Sequence, residues 1–264
     1  MRIVGINYCD YYGLSPRDFA SLIREVGFGA TFVEAFSDDG KYAECAKAFS
    51  DNGILWETVH APFNGINDIW LDKDGGEIML RRLIDTVDNC ARYSVPTAVV
   101  HLSSGVKCPS VTDTGRARFE SLVDHAVKNG VNIAFENQRK LANISWAFET
   151  FENVSNVGFC WDVGHEGCFT QGREYMPLFG KKLLCTHIHD NDGMFDHDLH
   201  EIPFDGKINF YKVASHIREA GFAGTLMLEI FPGISGIYKS MSSERIISHA
   251  YEAVSRLRDM VDRK

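Results

Sequence analysis

The sequence predicts an α/β protein built as a closed (β/α)8 barrel, one domain spanning residues 1–264. Short apolar runs alternate with helical patterns eight times from end to end. Eight such units give a parallel sheet of the size that closes on itself. The length, 264 residues with 45% hydrophobic residues, suits one large core, and no linker or low-complexity stretch divides it. Most of the apolar runs also end in an acid or a histidine: Thr31-Phe-Val-Glu34, Leu55 to His60, Ala98-Val-Val-His101, Ile133-Ala-Phe-Glu136, Gly158-Phe-Cys-Trp-Asp162, Leu183 to His187 and Leu226-Met-Leu-Glu229.

The first strand is expected at Ile3 to Ile6. Ser15-Pro16-Arg17-Asp18 supplies an N-cap, a proline at the first helical position and an acid in the first turn, so a helix runs to Val26 and stops at Gly27. Strand two, Thr31 to Glu34, leads to a helix over Lys41 to Asn52 that closes on Gly53. Strand three, Leu55 to His60, opens into Ala61-Pro62-Phe63-Asn64-Gly65. A helix over Glu77 to Tyr93 precedes strand four, Thr97 to His101, and another over Thr114 to Asn129 stops at Gly130. Strand five, Asn132 to Glu136, runs into Asn137 and a weaker helical segment from Ser145 to Glu152. Strand six, Val157 to Trp161, delivers Asp162 where it emerges, and Gly164 is expected to turn the backbone until His165 faces the same opening. A poorly patterned stretch through Arg173 to Phe179 follows. Strand seven, Leu183 to His187, continues into a polar loop that reaches Gly206, a length usual for functional loops. A helix over Phe210 to Ala220, strand eight over Thr225 to Ile230 and a helix over Ser243 to Arg258 complete the count.

The formal net charge of −9 gives no general attraction to phosphate backbones, so nucleic acid is not the expected partner. The start lacks a signal-like apolar region and polar residues interrupt every apolar run, which argues against secretion or membrane insertion. Seven cysteines without a C-x-x-C pair fit reduced thiols in a cytoplasmic enzyme. The outer helical faces carry no extra apolar stripe, which leaves monomer and homo-oligomer both open.

Residues at the carboxyl ends of barrel strands face one shared bowl. Glu34, His60, His101, Glu136, Asp162, His187 and Glu229 all come from that rim. Carboxylates gathered in a partly dry cleft repel, and a divalent metal relieves them. Imidazole with carboxylate suits Zn, Mn, Fe or Co, and the absence of a cysteine cluster argues against a closed structural zinc site. Glu34 serves equally well as a hydrogen-bonding neighbour or a surface ion pair. His189 is expected to point away from His187, and His125, His216 and His249 to lie on helix surfaces. Asp196-His197-Asp198-Leu199-His200-Glu201 in the long loop adds ligand types that read equally as a solvated charge cluster.

At Phe135-Glu136-Asn137, Trp161-Asp162-Val163-Gly164-His165, Thr186-His187-Ile188-His189-Asp190 and Leu228-Glu229, the chain resembles the xylose isomerase-like TIM barrels, across essentially its whole length. That superfamily holds sugar phosphate isomerases and epimerases together with endonuclease IV (AP endonuclease family 2). The resemblance implies Glu136, Asp162, His187 and Glu229 as ligands of one metal in the ketose epimerases. It implies His60, His101, His165, Asp198 and His200 as the further positions of a three-metal site in the endonuclease branch, so one to three ions are expected. Where Pro-Gly-Glu-Gly is frequent in the family, this chain has Ile202-Pro203-Phe204-Asp205-Gly206.

Two chemistries fit these residues. A metal-dependent isomerase or epimerase of a sugar or sugar phosphate polarises a carbonyl and stabilises an enediolate, with Glu136 and Glu229 moving the proton and His165 holding a substrate oxygen or a second metal. By position alone, Asn7, Tyr8, Phe63, Asn64, Trp70 and Asn137 are expected to line the sugar pocket, and an inosose dehydratase-like lyase would use nearly the same parts. An endonuclease on abasic DNA would need cationic rim loops. The rim here reads Asp38-Asp39, Asp68, Asp72 and Asp190-Asn191-Asp192 with scattered Lys107, Arg139 and Lys140, which favours a small polyol or sugar. A barrel that binds metal and ligand without turnover would keep the rim but lose the positioned base.

Overall fold

A computed structural model describes residues 1–170 and 172–263. Its strands are β1 Val4–Ile6, β2 Ala30–Glu34, β3 Leu55–His60, β4 Thr97–His101, β5 Asn132–Glu136, β6 Val157–Asp162, β7 Leu183–His187 and β8 Leu226–Leu228. All pair in parallel in the order β7-β6-β5-β4-β3-β2-β1-β8. The ring is completed just beyond β7, where Ile188 bridges to Leu228, donating to Met227 O at 2.9 Å and accepting from Glu229 N at 3.1 Å.

The helices are α1 Pro16–Val26, α2 Asp39–Asp51, α3 Asp74–Arg92, α4 Asp113–Lys128, α5 Leu141–Thr150, α6 Val163–Phe169, α7 Met176–Phe179, α8 Phe210–Glu219 and α9 Ser243–Asp262. Ser15 caps α1 as its pattern requires, its Oγ accepting from Asp18 N at 3.2 Å. Gly53 and Gly130, expected helix stops, sit at φ 63° and 68°, a region that costs a side-chain-bearing residue energy. The weak helix before β6 starts earlier than its pattern suggested, at Leu141 rather than Ser145. Its N-cap, Lys140, makes no side-chain cap bond, so no local signal marks the start. Among the described residues no helix is long and apolar enough to cross a membrane, and all seven cysteines are free.

Strand periodicity stacks the barrel interior in layers. Two positions before His101, Glu136, Asp162 and His187 lie Val99, Ala134, Cys160 and Cys185, which pack as one small-residue cluster. Two positions before Glu34 and Glu229 lie Phe32 and Met227, which pack together on the other side. Gly5 is the space Met227 uses: a Cβ there would stand 2.6 Å from both the sulfur and the terminal methyl of Met227. Phe32 stacks under the His187 ring at 4.5 Å between centroids.

Candidate active site

The rim residues come together as sequence spacing required. Glu136, Asp162, His187 and Glu229 each present a ligand atom within 4.8 Å of the others, all four side chains buried. His187 Nδ1 lies 2.6 Å from Glu136 Oε1 and 3.6 Å from Glu229 Oε2. Next to them His60, His101 and Glu136 form a second group: His60 Nε2 is 3.2 Å from His101 Nε2 and 3.4 Å from Glu136 Oε2, and His101 Nε2 contacts that same oxygen. A third group holds His165, His189, Asp198 and His200. Glu34 reaches the cavity wall from the exposed end of β2 and belongs to none of these groups.

Within the first group, Asp162 Oδ2 is buried without a hydrogen-bond partner. Orphaned acceptors at this depth are costly unless a cation satisfies them, so the donor set fits a divalent ion. The charges strain against one another without one. Burial pushes the Glu229 carboxyl well up, reinforced by the charges of Glu136 and Asp162. Burial opposes ionisation of Glu136 too, but His101 and His187 hold it well below the usual carboxylate range. Asp162 resists its burial through His165 and His189 and falls to about 2, while burial brings His101 down to about 4.

A cavity of about 200 Å³ opens above the glutamates. Phe63, Phe169 and Phe231 wall it, each ring against a ligand-type histidine: Phe63 on His101 at 4.6 Å, Phe169 on His165 at 4.7 Å, Phe231 on His200 at 4.8 Å. Gln138 reaches between His101 Nε2 at 3.2 Å and His165 Nδ1 at 3.1 Å. Arg139 is the one Lys or Arg among the described lining residues; it lies over Phe169 at 3.4 Å and is engaged by Asp196. A larger groove, about 470 Å³, runs outside the barrel between α2 and α3, where Arg92 already pairs with Asp39.

Of the six residues expected to line a sugar pocket, the structure places Phe63 on the cavity. Asn7 and Asn137 are strand clamps: Asn7 accepts from Ile230 N at 2.7 Å and donates to Ile230 O at 3.0 Å, and Asn137 binds Asp162 N and O, both at 2.8 Å. An amide side chain there continues the sheet ladder one rung past the strand. Tyr8 gives its hydroxyl to Leu14 O and packs on Phe19, Asn64 is exposed, and Trp70 is core, packed on Phe119 with its indole donating to Leu102 O at 2.6 Å.

His189 faces the bowl, contrary to expectation, because residues two apart on a strand share a face and Ile188 extends the β7 geometry to it. It is fully buried, and its Nε2 lies 3.1 Å from Asp162 Oδ1. Gly164 also plays a different part from the one expected. It lies in α6, whose N-cap is Asp162 with Oδ1 accepting from His165 N at 2.6 Å, and a Cβ at 164 would stand 1.8 Å from His189 Cε1. The glycine makes room for a ring rather than a turn. Gln138, His189 and Phe231 each sit two past a rim residue, so carrying the strand period across the strand end finds them; Phe169 lies four past His165, one turn along α6. Of the three helical histidines expected at the surface, His125 and His249 lie there, paired with Asp88 and Asp205, whereas His216 is largely covered, edge-on to Trp161 with Nε2 2.9 Å from Glu174.

With this geometry in hand, the sequence profile of the xylose isomerase-like TIM barrel family matches residues 21–250. The chain belongs to that family. This xylose isomerase-like barrel is similar to two curated relatives whose names give no activity. One, y4fM of Sinorhizobium fredii, is 24% identical over 83% of this chain and 82% of its own. The other, MJ1311 of Methanocaldococcus jannaschii, is 23% identical over 75% and 70%. Its fold matches D-psicose 3-epimerase from Clostridium cellulolyticum H10, with TM-score 0.79 at 16% identity over the whole of both chains. It also matches 3-keto-D-glucoside 4-epimerase from E. coli, with TM-score 0.73 at 15% identity over 98% and 99%.

Proposed function

We propose that the protein is a divalent-metal-dependent sugar isomerase or epimerase that moves a proton on the carbon next to a carbonyl. The observation that carries this is the pair Glu136 and Glu229, brought from the end of β5 and from just past β8 to within 2.6 and 3.6 Å of His187 Nδ1, beneath a cavity of about 200 Å³. A cation held by Glu136, Asp162, His187 and Glu229 would supply a Lewis acid for adjacent substrate oxygens. The chain itself does the rest. One glutamate takes the proton and the other returns it from the far side, which inverts the carbon. Without metal, His101 and His187 hold the Glu136 carboxyl well below its usual range while burial pushes that of Glu229 well up, so the two carboxylates sit in unlike surroundings. Phe63, Phe169 and Phe231 keep water from the intermediate and offer apolar faces to the C–H side of a sugar ring.

Sugar-acting structural neighbours support this reading, since 3-epimerase and 4-epimerase barrels share the fold. Because Arg139 is already committed to Asp196, an unphosphorylated sugar suits the cavity better than a phosphate ester. A second reading, an endonuclease IV-like phosphodiesterase, draws on the gathering of all nine ligand-type positions that the family resemblance named. The small volume of the aromatic-walled cavity, about 200 Å³, and the acidic rim loops count against a duplex substrate.

The test is proton exchange in deuterated buffer, followed by NMR, with Mn, Co or Zn and a panel of ketoses, aldoses and their phosphates; an abasic duplex is run alongside. Glu136→Gln and Glu229→Gln should each slow exchange at least about a hundredfold, as loss of a positioned general acid or base does. Exchange retained in both variants rejects the assignment, and cleavage of the duplex with no exchange on any sugar selects the second reading.

A further inference from the structure

We propose that His189 is the fourth protein ligand of a separate, closed Zn²⁺-type centre with His165, Asp198 and His200, and that this centre moors the 188–209 loop to the barrel instead of activating water. The family resemblance named His165, Asp198 and His200 among the further positions of a three-metal site and did not name His189.

The spacing is that of a ligand set. His165 Nε2 and His200 Nε2 each lie 3.3 Å from Asp198 Oδ2, and His189 Nε2 lies 3.7 Å from Asp198 Oδ1. A tetrahedral ion with bonds of about 2.0–2.1 Å holds its donors roughly 3.3 Å apart. All four ligand atoms fall within 4.8 Å of one another.

His189 also has no other use for its polar atoms. The side chain is fully buried, and neither ring nitrogen has a hydrogen-bond partner, nor does Asp198 Oδ1. Its approach to Asp162 Oδ1 is misaligned for a hydrogen bond, although the distance is short. Burying an imidazole with both nitrogens unpaired costs stability that a cation on Nε2 offsets. The chain has given up a side chain to seat this ring, since any Cβ at Gly164 would collide with it. The His189 and His200 rings lie stacked at 4.0 Å, 19° from parallel. Nearly parallel rings aim their lone pairs along neighbouring planes, so holding one ion between both Nε2 atoms requires one ring to tilt out of the stack.

The ligands come from three places: His165 from α6, His189 from the rung after β7, and Asp198 with His200 from the long loop. An ion among them ties the middle of the loop to two fixed points of the barrel. Zinc sites with four protein ligands are structural, whereas catalytic ones keep an open position. Three imidazoles and a carboxylate select a borderline ion such as Zn²⁺ or Co²⁺ over Mg²⁺ or Ca²⁺.

This inference does not rest on the sugar reading. The full chain is stripped with a chelator and titrated with Co²⁺ and Zn²⁺, following metal per chain, the cobalt visible spectrum and trypsin cleavage after Lys207, an exposed loop residue. Wild type should show one cobalt with the intense bands of a tetrahedral site, and Zn²⁺ at a hundred times its Kd should slow loop cleavage about a hundredfold. His189→Ala should lose one metal per chain, the intense bands and the protection. If His189→Ala keeps all three, or if wild-type cobalt shows only weak five- or six-coordinate bands, the closed centre is wrong; the second measurement needs no variant to fold. A closed ion in a protein without sugar exchange would sink the proposed function and leave this centre standing.

Discussion

Asp190 offers the sharpest test of how the long loop is built. Its carboxylate, fully buried, accepts four backbone N–H groups: Asn191 and Ile208 on Oδ1 at 2.8 and 2.9 Å, Phe204 and Gly206 on Oδ2, both at 3.0 Å. That clasp closes a loop containing three non-glycine residues at positive φ, Asp196 at 65°, His200 at 48° and Phe204 at 76°, which persist only where their surroundings over-determine them. Asp190→Asn keeps the shape but leaves one acceptor oxygen, so two of the four amides face an NH2 group. Two hydrogen bonds to a charged acceptor amount to about 3–6 kcal/mol. Burial pushes the Asp190 carboxyl up, so removing the charge returns part of this, and the net loss should be about 2–4 kcal/mol. Amide hydrogen exchange is the assay. If the loop opens locally, Phe204, Gly206 and Ile208 should exchange about thirtyfold to a thousandfold faster, while amides in β4 and β5 hardly change. Protection retained within about twofold at those three amides would refute the clasp.

Other outcomes follow from the same geometry. Gly164→Ala should drive His189 from its seat and cost about 1–3 kcal/mol in a denaturation curve, with metal content falling alongside. Trp70→Phe should lower stability through the lost indole bond to Leu102 while leaving KM for any sugar unchanged; a raised KM would return Trp70 to the substrate pocket. Asp196→Asn should free Arg139 and shift preference from free sugars towards phosphorylated ones, read as the ratio of kcat/KM. In the metal-free protein, burial disfavours the charged His165, but Asp162 and Asp198 outweigh it and push it up to about 10. A raised pKa means stability present below the unfolded value of about 6.5 and lost as pH climbs through the folded one. Chelator-treated protein should therefore weaken between those limits, and a flat profile from pH 6.5 to 10 contradicts the pairing.

The barrel was legible because its signal is repeated: each apolar run ending in a ligand type reports the same strand end, and β2 through β7 fall within a residue of those runs. The same repeat named seven rim residues; the grouping of Glu136, Asp162, His187 and Glu229 came from the family resemblance instead. Asn7 and Asn137 misled because an amide at a strand end looks alike whether it meets a ligand or the neighbouring backbone, and only the partner decides. Trp70 misled similarly, since a loop residue near the rim can turn inward beneath α4. His189 was misread through the strand period itself, which places positions 187 and 189 on one face. The α6 helix was hidden because seven residues with two glycines carry no helical periodicity; its Asp162 cap is visible only once the strand end is fixed.

The layer under the site separates depth from chemistry. Val99, Ala134, Cys160 and Cys185 support one half of the donor ring from below with little bulk, while Phe32 and Met227 crowd the other half. Adding a methyl at Ala134 or trimming Met227 would raise or lower individual carboxylates against the mouth without altering a single donor. Change at these hidden positions is therefore a route to a differently shaped chamber, and an engineer seeking a roomier one has reason to begin in the basement.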